Sequence, residues 1–154
     1  MIKFFMAISR GCKVRLLKWF ISISTKEKNS IIQDLSHLVV TRGSKQINFI
    51  EWRDYKIVFR RYASLYFILC VDKEANELIV LEMIHRYVEL LDMYFCQVCE
   101  LDLVFNFNKA YHLLDEILID GDIYDTNKKS ILRNMAAQDA MSEKTKPFST
   151  KSNG

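Results

Sequence analysis

The chain has 154 residues, which fits one domain built around one hydrophobic core. Half of its residues are hydrophobic, and its single proline and four glycines leave little room for long loops or a flexible linker between domains. The net charge of +3 is too small to indicate nucleic-acid binding by itself, but it is unevenly distributed. Residues 1–20 contain five basic and no acidic side chains, whereas residues 72–102 contain eight acidic and two basic ones. One part of the surface should therefore attract acidic groups while another repels them.

The first twenty residues predict two strands joined by a tight turn. Apolar side chains alternate over residues 2–8, as in a strand, and residues 9–13 contain a glycine and favour a hairpin turn. Residues 14–21 then favour the second strand. Taken alone, the basic residues of this hairpin are most simply explained as a solvated edge.

A helix is predicted to follow this hairpin. Ser24 and Glu27 have the spacing of a capping box, in which both side chains accept hydrogen bonds from free amides at a helix start. Apolar residues then recur at helical spacing through residues 31–39, and Gly43 is well placed to end the helix.

Three short strands are predicted near residues 46–52, 55–62 and 65–71, with polar turns between them. The last strand is apolar on both faces, so we expect it to be central in a sheet that is covered on both sides. Its two faces are formed by Leu65, Phe67 and Leu69 and by Tyr66, Ile68 and Cys70.

The second half of the chain is predicted to be helical. A long amphipathic helix spans about residues 77–95, with an apolar stripe formed by Leu81, Ile84, Val88, Leu91 and Phe95. Further helical segments are expected near residues 100–105, 108–119 and 127–136, the last with Thr126 as its N-cap. The order ββαβββ followed by helices predicts an α/β (α+β) protein with an antiparallel sheet flanked by helices.

No targeting segment is expected in this sequence. The apolar run at residues 4–8 is shorter than a secretory core, and Arg10 interrupts it. No stretch approaches the ~18 uncharged apolar residues of a membrane-spanning helix. Four cysteines without secretory context predict free, mostly buried thiols in a reducing cytosol, and hence a soluble cytosolic protein.

No pattern typical of catalysis, metal or cofactor binding stands out. Glu82 and His85 have the i, i+3 spacing of di-iron carboxylate proteins, but those sites need two such motifs, so we expect ordinary helix residues. Cys96 and Cys99 have redox or zinc spacing, but the other cysteines form no second pair, so we expect core cysteines. There is no G-x-S-x-G elbow and no glycine-rich phosphate loop. We expect neither an enzyme nor a cofactor.

Residues 52–62 interleave aromatic and basic side chains, a pattern that would suit stacking on single-stranded nucleic acid. The weak overall charge and the flanking acids instead favour an amphipathic strand with solvated charges, and no nucleic-acid partner. Taken alone, the residues predict a small cytosolic α/β interaction domain.

Five blocks of sequence, at residues 13–19, 49–53, 57–67, 84–91 and 98–107, carry a resemblance to a known family. The most specific is the last, Val-Cys-Glu-Leu-Asp-Leu-Val-Phe-Asn-Phe. In this order and spacing the blocks resemble the small (sigma) subunits of clathrin-associated adaptor complexes, from the start of the chain to about Met135. Within the family the chain most resembles the trans-Golgi and endosomal class, and the plasma-membrane endocytic class is the nearest competitor.

This resemblance implies a longin-like fold in residues 1–137, with a five-stranded antiparallel sheet between helices. The resemblance does not cover residues 138–154, whose polar composition predicts a disordered tail. It implies a non-catalytic subunit that stabilises an adaptor core together with large adaptins and a medium (mu) chain. Such a subunit binds acidic dileucine signals (Asp or Glu, three residues, Leu, then Leu or Ile) on cargo tails, for vesicle transport between the trans-Golgi network and endosomes. Clathrin, an Arf-type GTPase and the membrane would be reached indirectly through the complex, on the cytosolic face of the Golgi, endosomes and coated vesicles.

Carried over by position, the resemblance also implies site residues. Arg15 would meet the acidic or phosphorylated residue of the signal, and Gln97 would lie at the rim of two adjacent leucine pockets. These pockets would be lined by Ala63, Leu65, Val88, Val98 and Leu103. The glycine of the first hairpin stands one place earlier than in the family. This shift affects the geometry of the turn and hence the direction of the Arg15 side chain.

A second hypothesis is another longin-like trafficking module, a tethering or vesicle-fusion factor that works outside an adaptor complex. A fusion factor should continue into a coiled coil with heptads, whereas this chain continues into a polar tail.

Overall fold

The computed structural model of the protein describes residues 2–42, 48–119, 122–123 and 139. The chain forms, in order, the strands β1 (Ile2–Ser9) and β2 (Val14–Trp19), the helix α1 (Thr25–Arg42), the strands β3 (Phe49–Trp52), β4 (Tyr55–Tyr62) and β5 (Leu65–Asp72), the helices α2 (Glu77–Phe95), α3 (Glu100–Phe105) and α4 (Phe107–Ile117), and the short strands β6 (Leu118–Ile119) and β7 (Asp122–Ile123). The predicted order ββαβββ followed by helices is confirmed.

The first five strands form one antiparallel sheet in the order β2-β1-β5-β4-β3. The strand predicted to be central, β5, is the third of the five, and every residue from Leu65 to Val71 is buried. Its two faces contribute to two different hydrophobic clusters, as the alternating apolar pattern predicted.

The sheet separates two hydrophobic layers. On one face, α1 buries Ile31, Leu35 and Val39 against the strands. On the other face, α2, α3 and α4 cover the sheet and form the larger cluster. The predicted apolar stripe of α2 is buried at its middle positions Ile84, Val88 and Leu91 and only partly buried at its two ends. The helical layer therefore carries Val88 and Leu103, two of the residues predicted to line the leucine pockets.

The helix boundaries follow local capping. The Glu27 amide donates to Ser24 Oγ at 3.2 Å at the start of α1, as the capping-box spacing predicted. Asn76 caps α2 by accepting from the Leu78 amide at 2.9 Å, and α2 ends where Cys96 adopts a left-handed conformation with φ 55°. Gly43, the predicted end of α1, lies outside the described residues.

One expectation near the C-terminal part needs revision. The helix predicted over 108–119 is α4, which ends at Ile117 and is followed by the extended residue Leu118 and the β6–β7 pair. A short apolar run such as Ile-Leu-Ile suits a strand as well as a helix, so periodicity could not separate them. The segments 120–121, 124–138 and 140–154 lie outside the described residues, including Thr126, the predicted helix 127–136 and nearly all of the expected tail.

The predicted burial of the cysteines is largely wrong. Cys70 on β5 is buried, and burial raises the pKa of its thiol to about 12. Cys96 and Cys99, in contrast, are exposed, and Cys12 is half-buried. The left-handed conformation of Cys96 ends α2, so Cys96 and Cys99 no longer follow the apolar stripe of that helix. All four thiols are free.

No helix within the described residues has the length and apolar character that crossing a bilayer demands.

Candidate functional site

The structure brings four of the predicted pocket residues into one cluster. Leu65 begins β5, Val88 lies on α2, Val98 lies between α2 and α3, and Leu103 lies on α3. All four belong to the hydrophobic cluster under the helical layer, and their exposed fractions are 0 to 5%. They come from distant parts of the sequence, yet they fill the core and do not line an open pocket. The four side chains are therefore buried parts of the core in this structure.

Ala63 and Gln97, the other two predicted pocket residues, are exposed on turns beside this cluster. Ala63 lies in the two-residue turn between β4 and β5 with φ 53°, and Gln97 lies between α2 and α3 with φ 76°. A left-handed backbone disfavours large and β-branched side chains. The small size of Ala63 therefore suits its turn as well as a groove. The exposure of Gln97 agrees with a place at a rim.

Asp92, which the sequence analysis did not select, organises the segment that carries Val98. Its backbone carbonyl accepts from the amides of Cys96 and Gln97, the latter at 3.0 Å. Its carboxylate accepts from the Val98 amide at 2.9 Å and from the Tyr62 hydroxyl at 2.5 Å. This second hydrogen bond, followed by desolvation, raises the pKa of Tyr62. Asp92 thus ties the end of α2 both to the following loop and to the end of β4.

One sequence signal could have identified Asp92. An acid in the last turn of a helix opposes the helix dipole, and the last turn of α2 contains no basic residue. Such a local conflict is often explained by a specific contact. Here the contact is with the loop that immediately follows.

Arg15 lies at an irregularity of the sheet. In the pairing of β1 with β2, Ala7 is opposite Leu16 and Ile8 is opposite Val14, which leaves Arg15 as the extra residue of a bulge. A bulge changes the direction of the side chain that it carries. Cys12, and not Gly11, takes the left-handed conformation of the preceding turn, with φ 62°. In this structure the Arg15 side chain reaches α3.

The guanidinium of Arg15 is engaged by Glu100, the first residue of α3. Arg15 Nε and Nη2 lie 2.7 and 2.6 Å from the same oxygen, Glu100 Oε1. The Arg15 side chain is 25% exposed and that of Glu100 29%. Because Glu100 and Leu103 share α3, the basic residue and the apolar cluster are neighbours. The sequence analysis missed Glu100, since an ion pair across 85 positions leaves no local signal.

The rest of β2 is fixed to the helical layer next to Arg15. The Leu17 amide donates to the Tyr111 hydroxyl at 2.8 Å, and that hydroxyl donates to the Leu17 carbonyl at 3.2 Å. Lys18 pairs with Asp115 of α4. The edge strand that carries Arg15 is therefore held by α4 as well as by β1.

Several large apolar side chains remain exposed on the helical layer. On α2, Leu78 and Ile79 are 73 and 57% exposed and line a cavity of about 340 Å³ together with Glu82, Met83 and Arg86. On α3 and α4, the exposed apolar residues are Leu101, Val104, Phe105 and Phe107. The cavity contains none of the predicted cargo residues. Apolar surface of this extent is typical of a surface that meets another protein.

The residues weighed as metal ligands make ordinary surface contacts. Glu82 Oε1 lies 3.6 Å from Arg86 Nε, and His85 Nε2 lies 2.5 Å from Glu89 Oε1, both at i, i+4 spacing on α2. Within the described residues there is no group of three or more His, Cys, Asp or Glu side chains that could hold a metal ion. Arg60 and Arg61 are exposed on β4.

Comparison with known proteins decides the family. Residues 1–142 match the family model of the clathrin adaptor complex small chain. The chain belongs to this family. It is similar to the AP-1 complex subunit sigma-2 of Arabidopsis thaliana, with 53% identity over 146 residues, which cover 95% of this chain and 90% of that protein. It is also similar to the AP-1 complex subunit sigma-1A of Homo sapiens, with 50% identity, 93% of this chain and 90% of that protein being covered.

The fold has a counterpart of known architecture. A chain of the homology model of the full-length AP-3 complex in a stretched open conformation superposes with a TM-score of 0.74 and 27% identity, covering 94% of this chain and 97% of that chain. The predicted longin-like fold and the resemblance to sigma subunits are confirmed. The relatives are subunits of adaptor complexes and not enzymes, so the chain is a non-catalytic small subunit of the clathrin adaptor family.

Proposed function

We propose that this adaptor small chain recognises acidic dileucine signals on cargo tails, as a subunit of an AP-1-type complex. One observation carries the proposal. Leu65, Val88, Val98 and Leu103, from separate segments, meet in one apolar cluster, and α3 joins that cluster to Arg15. Apolar groups next to a cation at the surface match two leucines preceded by an acid.

The burial of these four side chains fits weak binding. Burying two leucine side chains is worth roughly 3–6 kcal/mol gross. Opening the cluster and ordering a flexible peptide consume part of this gain, so we expect a dissociation constant of about micromolar order or weaker. Val98 is the most readily displaced member, because it lies in a loop between two helices and not inside a regular element.

The first test measures binding of an acidic dileucine peptide to the assembled complex. Val88→Asp places a carboxylate in the apolar cluster and should nearly abolish binding, because a buried unpaired charge is strongly unfavourable. His85→Asp is the matched control, since it introduces the same group on the same helix at a side chain that is 40% exposed. Both variants must first be shown to assemble. Normal peptide binding by an assembled Val88→Asp complex would refute the site assignment.

The exposed apolar side chains of α2, α3 and α4 support assembly with large adaptins and a medium (mu) chain. Leu78, Phe105 and Phe107 are each about half exposed or more, which is unfavourable in water unless a partner covers them. Expressed alone, the chain should aggregate, and co-expression with a large adaptin fragment should make it soluble. A monomer that stays folded at high concentration would count against this.

The relatives support the trans-Golgi and endosomal class, since those compared are named AP-1 sigma subunits. The subunit would then act on the cytosolic face of the trans-Golgi network, endosomes and coated vesicles, and meet clathrin, an Arf-type GTPase and the membrane through the complex. Affinity purification of the tagged chain tests this directly. Recovery of AP-1 large adaptins supports it, recovery of plasma-membrane adaptins indicates the endocytic class, and recovery of no adaptin supports a module outside these complexes.

A further inference from the structure

Arg15, the residue proposed to bind the acidic residue of the signal, already forms an ion pair with Glu100 of the same chain. Glu100 Oε1 accepts from both Arg15 Nε, at 2.7 Å, and Arg15 Nη2, at 2.6 Å. A charge-assisted contact at this distance is among the stronger kinds of hydrogen bond. An incoming carboxylate therefore does not meet a free guanidinium.

The local fold holds the two partners in this arrangement. Arg15 is the extra residue of the β1–β2 bulge, and the neighbouring Leu17 backbone is fixed to the Tyr111 hydroxyl. On the other side, the Cys99 amide donates to Asp102 at 2.9 Å and fixes the start of α3, where Glu100 lies. Both ends of the contact are thus set by backbone structure, and the pair is not a chance meeting of two long flexible side chains.

We infer that Glu100 is a specificity-determining residue of the cargo site, an inference that rests on the proposed function. It limits how strongly the site prefers an acid upstream of the leucines. A signal carboxylate that displaces Glu100 forms an ion pair with Arg15, but the existing Arg15–Glu100 ion pair is lost. A signal carboxylate that binds the remaining guanidinium hydrogens lies close to a like charge. Both routes reduce the gain from the acid, so the leucines dominate recognition.

The test compares two peptides on the assembled complex. One is an acidic dileucine peptide, and the other has Gln in place of its acid. The dissociation constant of the Gln peptide divided by that of the acidic peptide measures the acid preference. Glu100→Gln keeps the shape and removes the charge, and it should raise this ratio by about threefold, the scale of one partly exposed ion pair. The affinity for the Gln peptide should stay unchanged. A general disturbance of the pocket would instead weaken binding of both peptides.

Asp115→Asn is the matched control, because it removes an acid that is paired with another basic residue of β2, Lys18. It should leave the ratio unchanged. In an Arg15→Ser background, Glu100→Gln should raise the ratio less than it does with Arg15 present, because only repulsion between the two acids remains. An unchanged or smaller ratio in Glu100→Gln would overturn the inference and would leave the proposed function intact. Absence of binding by the unmodified complex would overturn both.

Discussion

The two parts of the candidate site differ in how they are built. The apolar part, formed by Leu65, Val88, Val98 and Leu103, is at most 5% exposed and belongs to the core of the domain. The ionic part, Arg15 with Glu100, lies between a bulged edge strand and a short helix, and its two side chains are 25 and 29% exposed. In the proposed complex with a dileucine signal, the apolar part would supply most of the binding free energy, whereas screening by water would limit the ionic part.

This difference also decides what a mutation reports. A change in the apolar part alters folding and binding together, because the same side chains hold α2 and α3 on the sheet. A change in the ionic part leaves the core intact and reports on recognition alone. Each prediction below therefore pairs a variant with a control from the same element or the same hydrogen-bond network.

The largest effect is expected for Leu103→Ser. It removes buried methyl groups and introduces a hydroxyl, which should destabilise the subunit by about 2–5 kcal/mol. Binding of an acidic dileucine peptide should be nearly abolished in complexes that still assemble. Val104→Ser, at the adjacent exposed position of α3, should have little effect on either quantity. Thermal denaturation and peptide titration of both assembled complexes test this, and a Leu103→Ser complex that binds normally would contradict it.

An intermediate effect is expected for Asp92→Ala. The substitution leaves the Val98 amide and the Tyr62 hydroxyl without their acceptor, which should cost about 1–3 kcal/mol. Hydrogen exchange of the Val98 amide should accelerate, since this amide would lose its partner in the loop between α2 and α3.

Tyr62→Phe is the control for Asp92, because it removes only the hydroxyl bond and keeps the contact with Val98. It should cost about 0.5–1.5 kcal/mol and leave exchange at Val98 nearly unchanged. Equal acceleration in both variants would show that Asp92 does not hold the loop in the way that the structure indicates.

Sequence periodicity predicted the burial of the apolar part better than it predicted the contacts of the ionic part, for a physical reason. Strand and helix periodicity identified the two-sided burial of Leu65 to Cys70 and the inward position of Val88, because burial repeats along an element. The pairing of Arg15 with Glu100 and the hydrogen bonds of Asp92 depend on where distant segments end. The bulge at Arg15 and the left-handed Cys96 set those ends, and neither a periodic pattern nor a glycine marks them.

The smallest effect is expected for Arg15→Ser, and the change in salt dependence is more informative than the loss of affinity. Because the guanidinium is partly exposed and engaged by Glu100, its loss should weaken binding of an acidic peptide by about 1 kcal/mol or less. Raising the ionic strength from 0.05 to 0.5 M should weaken peptide binding by the unmodified complex. The affinity of the variant should change less, because salt mainly screens the contact between Arg15 and the peptide acid, which the variant lacks. Lys18→Ser removes the same charge from the same strand, where it pairs with Asp115, and should leave the salt dependence close to that of the unmodified complex. If Arg15→Ser instead reduced binding as strongly as Leu103→Ser at every salt concentration, the ionic part would dominate recognition, and the ranking of the two parts would have to be reversed.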